Sequence, residues 1–166
     1  MEHRIRRGFT LLEVMIALLI FSLGLIGVAG LLAVSVKSTH SAYLRTQATF
    51  LVQSMADRMR ANVLGLWNDS YNTALTTSAN ATVPTTCNSP NTCSFTAVAT
   101  RDIVIFQNQL VAFMPSTQFS IACAPNGTKP TQLLALPPYS GTCEIFVSWN
   151  DSSKNNTNQF DWVFTP

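Results

Sequence analysis

The sequence predicts an α+β fold in which one long N-terminal α-helix packs against a small antiparallel β-sheet. Three observations carry this prediction: an uncharged apolar run from Val14 to Val36, a helical apolar period that continues beyond it, and short alternating segments in the last third of the chain. A length of 166 residues suits one domain core and is short for two.

The apolar run is long enough to cross a membrane. It contains 23 consecutive residues without a formal charge. As a helix rising about 1.5 Å per residue it spans roughly 34 Å, and a bilayer core is about 30 Å thick. We therefore expect the first half of the helix to be a transmembrane segment.

The basic residues around the run predict its orientation. Three arginines crowd the short N-terminal side, whereas Lys37 and Arg45 follow at a wider spacing. The three are Arg4, Arg6 and Arg7. Positive charge concentrates on the cytoplasmic side of a span, so the N-terminus is predicted to be cytoplasmic and the remainder to lie beyond the membrane.

Glu13 distinguishes this run from an ordinary secretory signal or membrane anchor. A secretory signal has a shorter apolar region than this one. A carboxylate in the centre of a membrane helix costs about 2.5–3.5 kcal/mol on insertion scales, and less near the interface. An ordinary anchor has no use for Glu13, so we expect this residue to have a partner or a role.

Helical periodicity continues past the membrane segment. Apolar residues recur at steps of three and four, which predicts one helix from Leu11 to Leu66 whose second half covers its own domain. These residues are Leu44, Ala48, Leu51, Met55, Met59 and Val63.

The segment from Asp69 to Arg101 has no charge between its ends and is rich in Ser, Thr and Asn, so we expect little regular structure there. Thr100 to Met114 is ambiguous, because its β-branched residues favour a strand. Its larger apolar residues fall on one helical face, and Pro115 would end a helix. We therefore predict a helix.

Three later segments alternate apolar and polar residues and are predicted strands: Thr117 to Ala124, Cys143 to Trp149, and Gln159 to Phe164. The intervening residues, 125–142 and 150–158, read as connecting loops. The tryptophans are expected to fill the core. They are Trp67, Trp149 and Trp162.

The four cysteines have no metal-type spacing, which argues against a zinc site. Outside the cytoplasm they are expected to be oxidised, with three pairings possible. We favour Cys87 with Cys93 and Cys123 with Cys143, and free thiols are the alternative.

Composition also narrows the class of function. Two histidines and the lack of a phosphate loop predict a non-enzymatic protein without a cofactor. The basic residues do not gather into a patch along the body of the chain, so the sequence does not support nucleic-acid binding. Four oxygen-bearing residues could suit calcium, but their spacing fits no EF-hand, so a solvated hairpin tip and no metal are expected. They are Asp151, Asn155, Asn156 and Asp161.

The run from Arg6 to Val14 resembles the type III leader junction of type IV pilins and type II secretion pseudopilins: a basic leader ending in Gly, an apolar first mature residue, and Glu at the fifth mature place. The resemblance implies that a prepilin peptidase cuts between Gly8 and Phe9 and methylates the Phe9 amine. It also implies that Glu13 pairs with that amine, within one subunit or between neighbours, and sets assembly register.

A narrower resemblance is to the minor-pilin family called type IV pilus modification protein PilV. It rests on the runs Thr10 to Ala17, Gly24 to Gly27 and Asp57 to Asn62. It implies a pilin-like fold with a leader at 1–8, a transmembrane and assembly segment at 9–36, and a periplasmic globular domain at 37–166.

Together these resemblances imply a minor pilin held in the bacterial inner membrane and later incorporated into the pilus, with a role in adhesion or twitching motility. Its implied partners are prepilin peptidase, major and other minor pilins, and the inner-membrane assembly machinery. The alternatives are a minor pseudopilin of type II secretion, and a pilus-tip adhesin or DNA-binding subunit that uses the Asp69 to Arg101 segment.

Overall fold

The computed structural model describes residues 8–85, 93–114, 116–127, 129–130, 138–151 and 156–166. The elements are α1 (Leu11–Ala61), α2 (Val63–Trp67), β1 (Thr73–Thr77), α3 (Phe95–Phe113), β2 (Gln118–Pro125), β3 (Gly141–Asp151) and β4 (Asn156–Phe164). The strands form one antiparallel sheet in the order β1-β2-β3-β4. The predicted α+β fold, a long N-terminal helix with a small antiparallel sheet, is confirmed.

The chain divides into two compact units, Met1–His40 and Ser41–Pro166. In the first, every described residue is exposed. The second contains the last part of α1, the other helices and the sheet. Within this second unit, one hydrophobic core joins residues of α1, α3 and the strands.

The core confirms the apolar stripe predicted for the second half of α1. Leu44, Ala48, Leu51, Met55 and Met59 are buried, and Val63 is partly buried against them. The inward residues of the sheet complete the core, because alternate strand positions face the same side. They include Phe119, Ile121, Ile145, Val147 and Trp149.

The prediction that one helix reaches Leu66 is wrong at its end. α1 stops at Ala61, and α2 is a separate five-residue helix. Asn62 lies between them with φ −120° and ψ 64°, and its side-chain oxygen accepts a hydrogen bond from the Gly65 N–H at 3.2 Å. Asn62 is thus the N-cap of α2, and its non-helical backbone interrupts the long helix.

The expectation of little regular structure from Asp69 to Arg101 is also wrong in part. β1 pairs with β2, and α3 begins at Phe95, five residues before its predicted start. Ser94 caps α3 by accepting a hydrogen bond from the Ala97 N–H at 3.2 Å. The choice of helix for this region is confirmed, while Pro115 lies outside the described residues.

The three predicted strands are present, and β1 adds a fourth. β2 is shifted by one residue toward the C-terminus, whereas β3 and β4 are longer than predicted. β3 and β4 pair from Cys143 with Phe164 to Asp151 with Asn156, so the hairpin tip is shorter than predicted. Trp67 and Trp149 are buried as expected, and Trp162 packs at the core margin, partly buried.

Candidate assembly surface

α1 begins immediately after Thr10. The Thr10 carbonyl accepts hydrogen bonds from the N–H groups of Glu13 at 3.1 Å and Val14 at 3.4 Å. Its hydroxyl also accepts a hydrogen bond from the Glu13 N–H at 3.3 Å, which is the geometry of a helix N-cap. Gly8 and Phe9 are exposed and precede the helix, so the predicted cleavage bond lies outside regular structure.

Thr10 is not among the predicted site residues, although a signal for it exists. Thr followed three residues later by Glu, before an apolar run, is the capping-box pattern of a helix start. The structure shows the bond to the Thr10 hydroxyl. Glu13 also puts a negative charge in the first turn, where the helix dipole favours it.

The surface of α1 that follows is apolar and uncovered. From Leu11 to Val36, the large apolar side chains are 49–79 % exposed. α1 contains a stretch that is long and apolar enough to cross a membrane. No residue of this apolar stretch is buried within the chain. An apolar surface of this extent requires lipid or protein neighbours.

Glu13 is one of the residues that line an open groove on this surface. The groove is open to solvent, and its other lining side chains are apolar. They are Phe9, Val14, Ala17, Leu18 and Phe21. The groove combines one carboxylate with apolar side chains. It therefore suits an apolar segment that carries a positive charge.

The second unit contains a polar network that lies outside the predicted site. The Tyr71 hydroxyl donates a hydrogen bond to Asp102 Oδ2 at 2.9 Å, and Arg58 Nη1 lies 3.5 Å from Asp102 Oδ1. Asn62 Nδ2 donates hydrogen bonds to the Tyr71 hydroxyl at 3.1 Å and to the Phe95 carbonyl at 2.8 Å. The network therefore fastens the end of α1 to α3.

Burial raises the pKa of Tyr71 well above its ordinary value of 10. The hydrogen bond from Asn62 opposes this shift, and the negative charge of Asp102 adds to it. Tyr71 is therefore a neutral hydrogen-bond donor at physiological pH, which suits a structural role.

The disulfides also belong to the second unit. Cys123 of β2 and Cys143 of β3 face each other in register, with Cα atoms 4.1 Å apart, and are bonded as expected. Cys93 is also disulfide-bonded. Cys87, its favoured partner, lies outside the described residues.

Two family models match successive parts of the chain. Residues 3–29 match the model described as Prokaryotic N-terminal methylation motif, and residues 30–104 match the one described as Type IV pilin Tt1218. These matches make residues 3–104 similar to type IV pilins that carry the prepilin N-methylation motif. No curated protein and no solved structure shows significant similarity to this chain.

The first match covers the predicted leader junction, including Gly8, Phe9 and Glu13. The structure places these three residues together at the start of α1, whereas the leader arginines Arg4, Arg6 and Arg7 lie outside the described residues. The second match covers α1 from Gly30 onward, α2, β1 and the first part of α3. It thus contains all four side chains of the polar network.

Of the four residues considered for calcium, Asp161 alone has a side chain within the described residues. Asp161 is exposed on β4, while Asn155 and the side chains of Asp151 and Asn156 lie outside the described part. Among the described residues, no three His, Cys, Asp or Glu side chains form a group that could hold a metal ion.

Proposed function

We propose that this pilin is a minor subunit of a type IV pilus, close to the modification protein PilV, and that it acts by assembly rather than by catalysis. The observation that carries the proposal is the leader junction at the start of an uncovered apolar helix. Gly8 and Phe9 are exposed, and Glu13 lies in the first turn beside the apolar groove.

The proposed location is the inner membrane before assembly and the pilus afterwards. The three leader arginines favour a cytoplasmic N-terminus, so residues 37–166 would lie in the periplasm. Prepilin peptidase would cut after Gly8 and methylate the amine of Phe9. Major and other minor pilins would then replace lipid around residues 9–36, with the help of the inner-membrane assembly machinery.

Glu13 supplies the register of this assembly. The new amine of Phe9 is a cation attached to an apolar side chain, which is what the groove beside Glu13 accepts. Charge pairing is strong where water is excluded, and it offsets the cost of holding Glu13 among apolar groups. A neighbouring subunit displaced along the helix would leave both charges without a partner.

The first experiment determines the mature N-terminus. The full chain is expressed with and without prepilin peptidase, and its N-terminal peptide is identified by mass spectrometry. We expect a peptide that starts at methylated Phe9 only when the peptidase is present. A Met1 terminus under both conditions would contradict the proposed function.

The second experiment separates the effect of the Glu13 charge from the role of the Glu13 side chain in the capping box. Glu13→Gln keeps a side chain compatible with the capping box but removes the charge. We expect Glu13→Gln and Glu13→Ala to insert in the membrane and to enter filaments poorly. Glu144→Gln, at an exposed position of β3, is the matched control. Normal incorporation of Glu13→Gln would contradict the register role.

The choice of a minor pilus subunit rests on the Asp57 to Asn62 run. In the structure this run ends α1: Met59 is buried, Arg58 reaches Asp102, and Asn62 caps α2. These roles explain why such a run suits a structural subunit. Deletion of the protein is expected to reduce piliation and twitching while protein secretion continues. The reverse phenotype would favour a pseudopilin.

A further inference from the structure

We propose that Thr10 is a positioning residue for prepilin processing. Its cap starts α1 at Leu11 and so keeps the Gly8–Phe9 peptide bond outside the helix, where a peptidase can reach it. This inference rests on the proposed function, because that function supplies the peptidase.

Three hydrogen bonds define the start of the helix. The Thr10 carbonyl accepts bonds from Glu13 and Val14, and the Thr10 hydroxyl accepts a bond from Glu13. The Glu13 N–H, one of the first N–H groups that lack the usual helical partner, is thus shared between the carbonyl and the hydroxyl of Thr10. A residue that caps in this way has a non-helical backbone, so the helix does not continue toward Gly8.

The position of this cap relative to the cleavage bond is the important relationship. Only Phe9 stands between the scissile carbonyl of Gly8 and Thr10. Gly8 is exposed, and a Cβ atom built on it would have no neighbour within 4 Å. A protease cleaves a bond in proportion to the population in which the backbone is open to it.

Without the cap, the helix start would spread toward the leader. Alanine is the best helix former and cannot accept a hydrogen bond through its side chain. Near the hydrocarbon region, backbone groups are most stable when they are bonded inside a helix. Part of the population would then hold the Gly8–Phe9 bond in helical form, closed to the peptidase.

The test measures the cleavage rate of the full chain in detergent micelles by purified prepilin peptidase. Thr10→Ala is expected to slow cleavage about two- to thirtyfold, the range that follows from the loss of an N-cap. Thr10→Ser and Thr10→Asn should restore the rate, because both residues cap well although their shapes differ. Rescue by Asn distinguishes a cap from a direct contact between Thr10 and the peptidase.

Ser22→Ala is the matched control, since it removes a hydroxyl that donates to the Leu19 carbonyl at 2.8 Å within the same helix. Its cleavage rate should equal that of the unchanged chain. A Thr10→Ala rate equal to that of the unchanged chain would overturn the role of Thr10 alone, as would failure of both rescues. Absence of cleavage in the unchanged chain would contradict the proposed function itself.

Discussion

The hydroxyl of Tyr71 donates a hydrogen bond to Asp102 Oδ2 at 2.9 Å, and both residues are buried in the second unit. Tyr71 follows α2, whereas Asp102 belongs to α3. A buried carboxylate requires hydrogen bonds and a compensating charge, which Tyr71 and Arg58 provide. The stability of this unit therefore depends on polar groups as well as on its apolar core.

Replacing Tyr71 with Phe should destabilise the protein by about 1–3 kcal/mol, since it leaves Asp102 Oδ2 buried without this donor. Chemical unfolding of the full chain in detergent measures the effect. Tyr43→Phe, at a half-exposed position of α1, should change stability by less than about 0.5 kcal/mol. Equal stability of the two variants would show that the hydrogen bond contributes nothing.

The raised pKa of Tyr71 predicts a loss of stability in alkaline solution. Above pH 10 the unfolded chain releases a proton that the native Tyr71 retains. The stability contributed by the Tyr71 hydroxyl is therefore fully present below pH 10 and declines as the pH rises further. Unfolding measured between pH 8 and pH 11 should show this decline, and Tyr71→Phe should reduce it. An unchanged slope in the variant would assign the decline to other groups.

Gly65→Ala should destabilise the second unit by about 1–3 kcal/mol, the usual cost of an added methyl group in a filled space. A Cβ atom there would lie 2.5 Å from Asn62 Nδ2 and 3.0 Å from Tyr71 Cε2, so it would displace both side chains. Gly24→Ala is the control, because a Cβ at Gly24 meets nothing within 4 Å. Thermal unfolding of both variants in detergent measures the effect. A Gly65→Ala variant as stable as Gly24→Ala would contradict the prediction.

Removing the disulfide with Cys123→Ala and Cys143→Ala together should cost about 3 kcal/mol, because the bond restricts a loop in the unfolded chain. The two residues are separated by 20 positions along the sequence. Denaturant unfolding measures the loss. Thr142→Ala, exposed beside Cys143, serves as the control. A double variant as stable as this control would exclude a contribution from the bond.

Asn108→Ala should release the segment after β1 without unfolding the core. Asn108 accepts a hydrogen bond from the Ala81 N–H at 2.9 Å and donates one to the Ala81 carbonyl at 2.8 Å. Amide hydrogen exchange at Ala81 is expected to accelerate while exchange in β3 stays slow. Gln109→Ala is the control. Equally fast exchange at Ala81 in both variants would contradict the prediction that Asn108 holds this segment in place.

The sequence predicts those elements of the fold whose buried side chains recur at a regular spacing. The α1 stripe from Leu44 to Met59 repeats every three or four residues because one face of the helix enters the core. β1 has no such signal: it is an edge strand, its residues Ala74 to Thr77 are exposed, and its pairing depends on backbone groups. Its Ser/Thr/Asn-rich surroundings therefore resemble a loop.

The polar network could not be predicted for a different reason. Asp102 lies 31 positions from Tyr71 and 44 from Arg58, so only the folded chain brings them together. The leader junction is local, by contrast, and its residues could be recognised from their spacing. Thr10 belongs to the same local pattern, and the capping-box spacing to Glu13 carries the signal for its position.

The pairing of β1 with β2 has a consequence for the order in which the protein forms. A ribosome makes β1 well before β2, and α3 lies between them in the chain. Until β2 emerges, β1 has no neighbour within the sheet, and the hydrophobic core lacks the residues of β2, β3 and β4. Contacts between distant parts of a chain close slowly. A nascent chain interrupted before Gln118 therefore exposes an unpaired strand edge and an incomplete apolar core, the features that quality-control proteases and chaperones recognise.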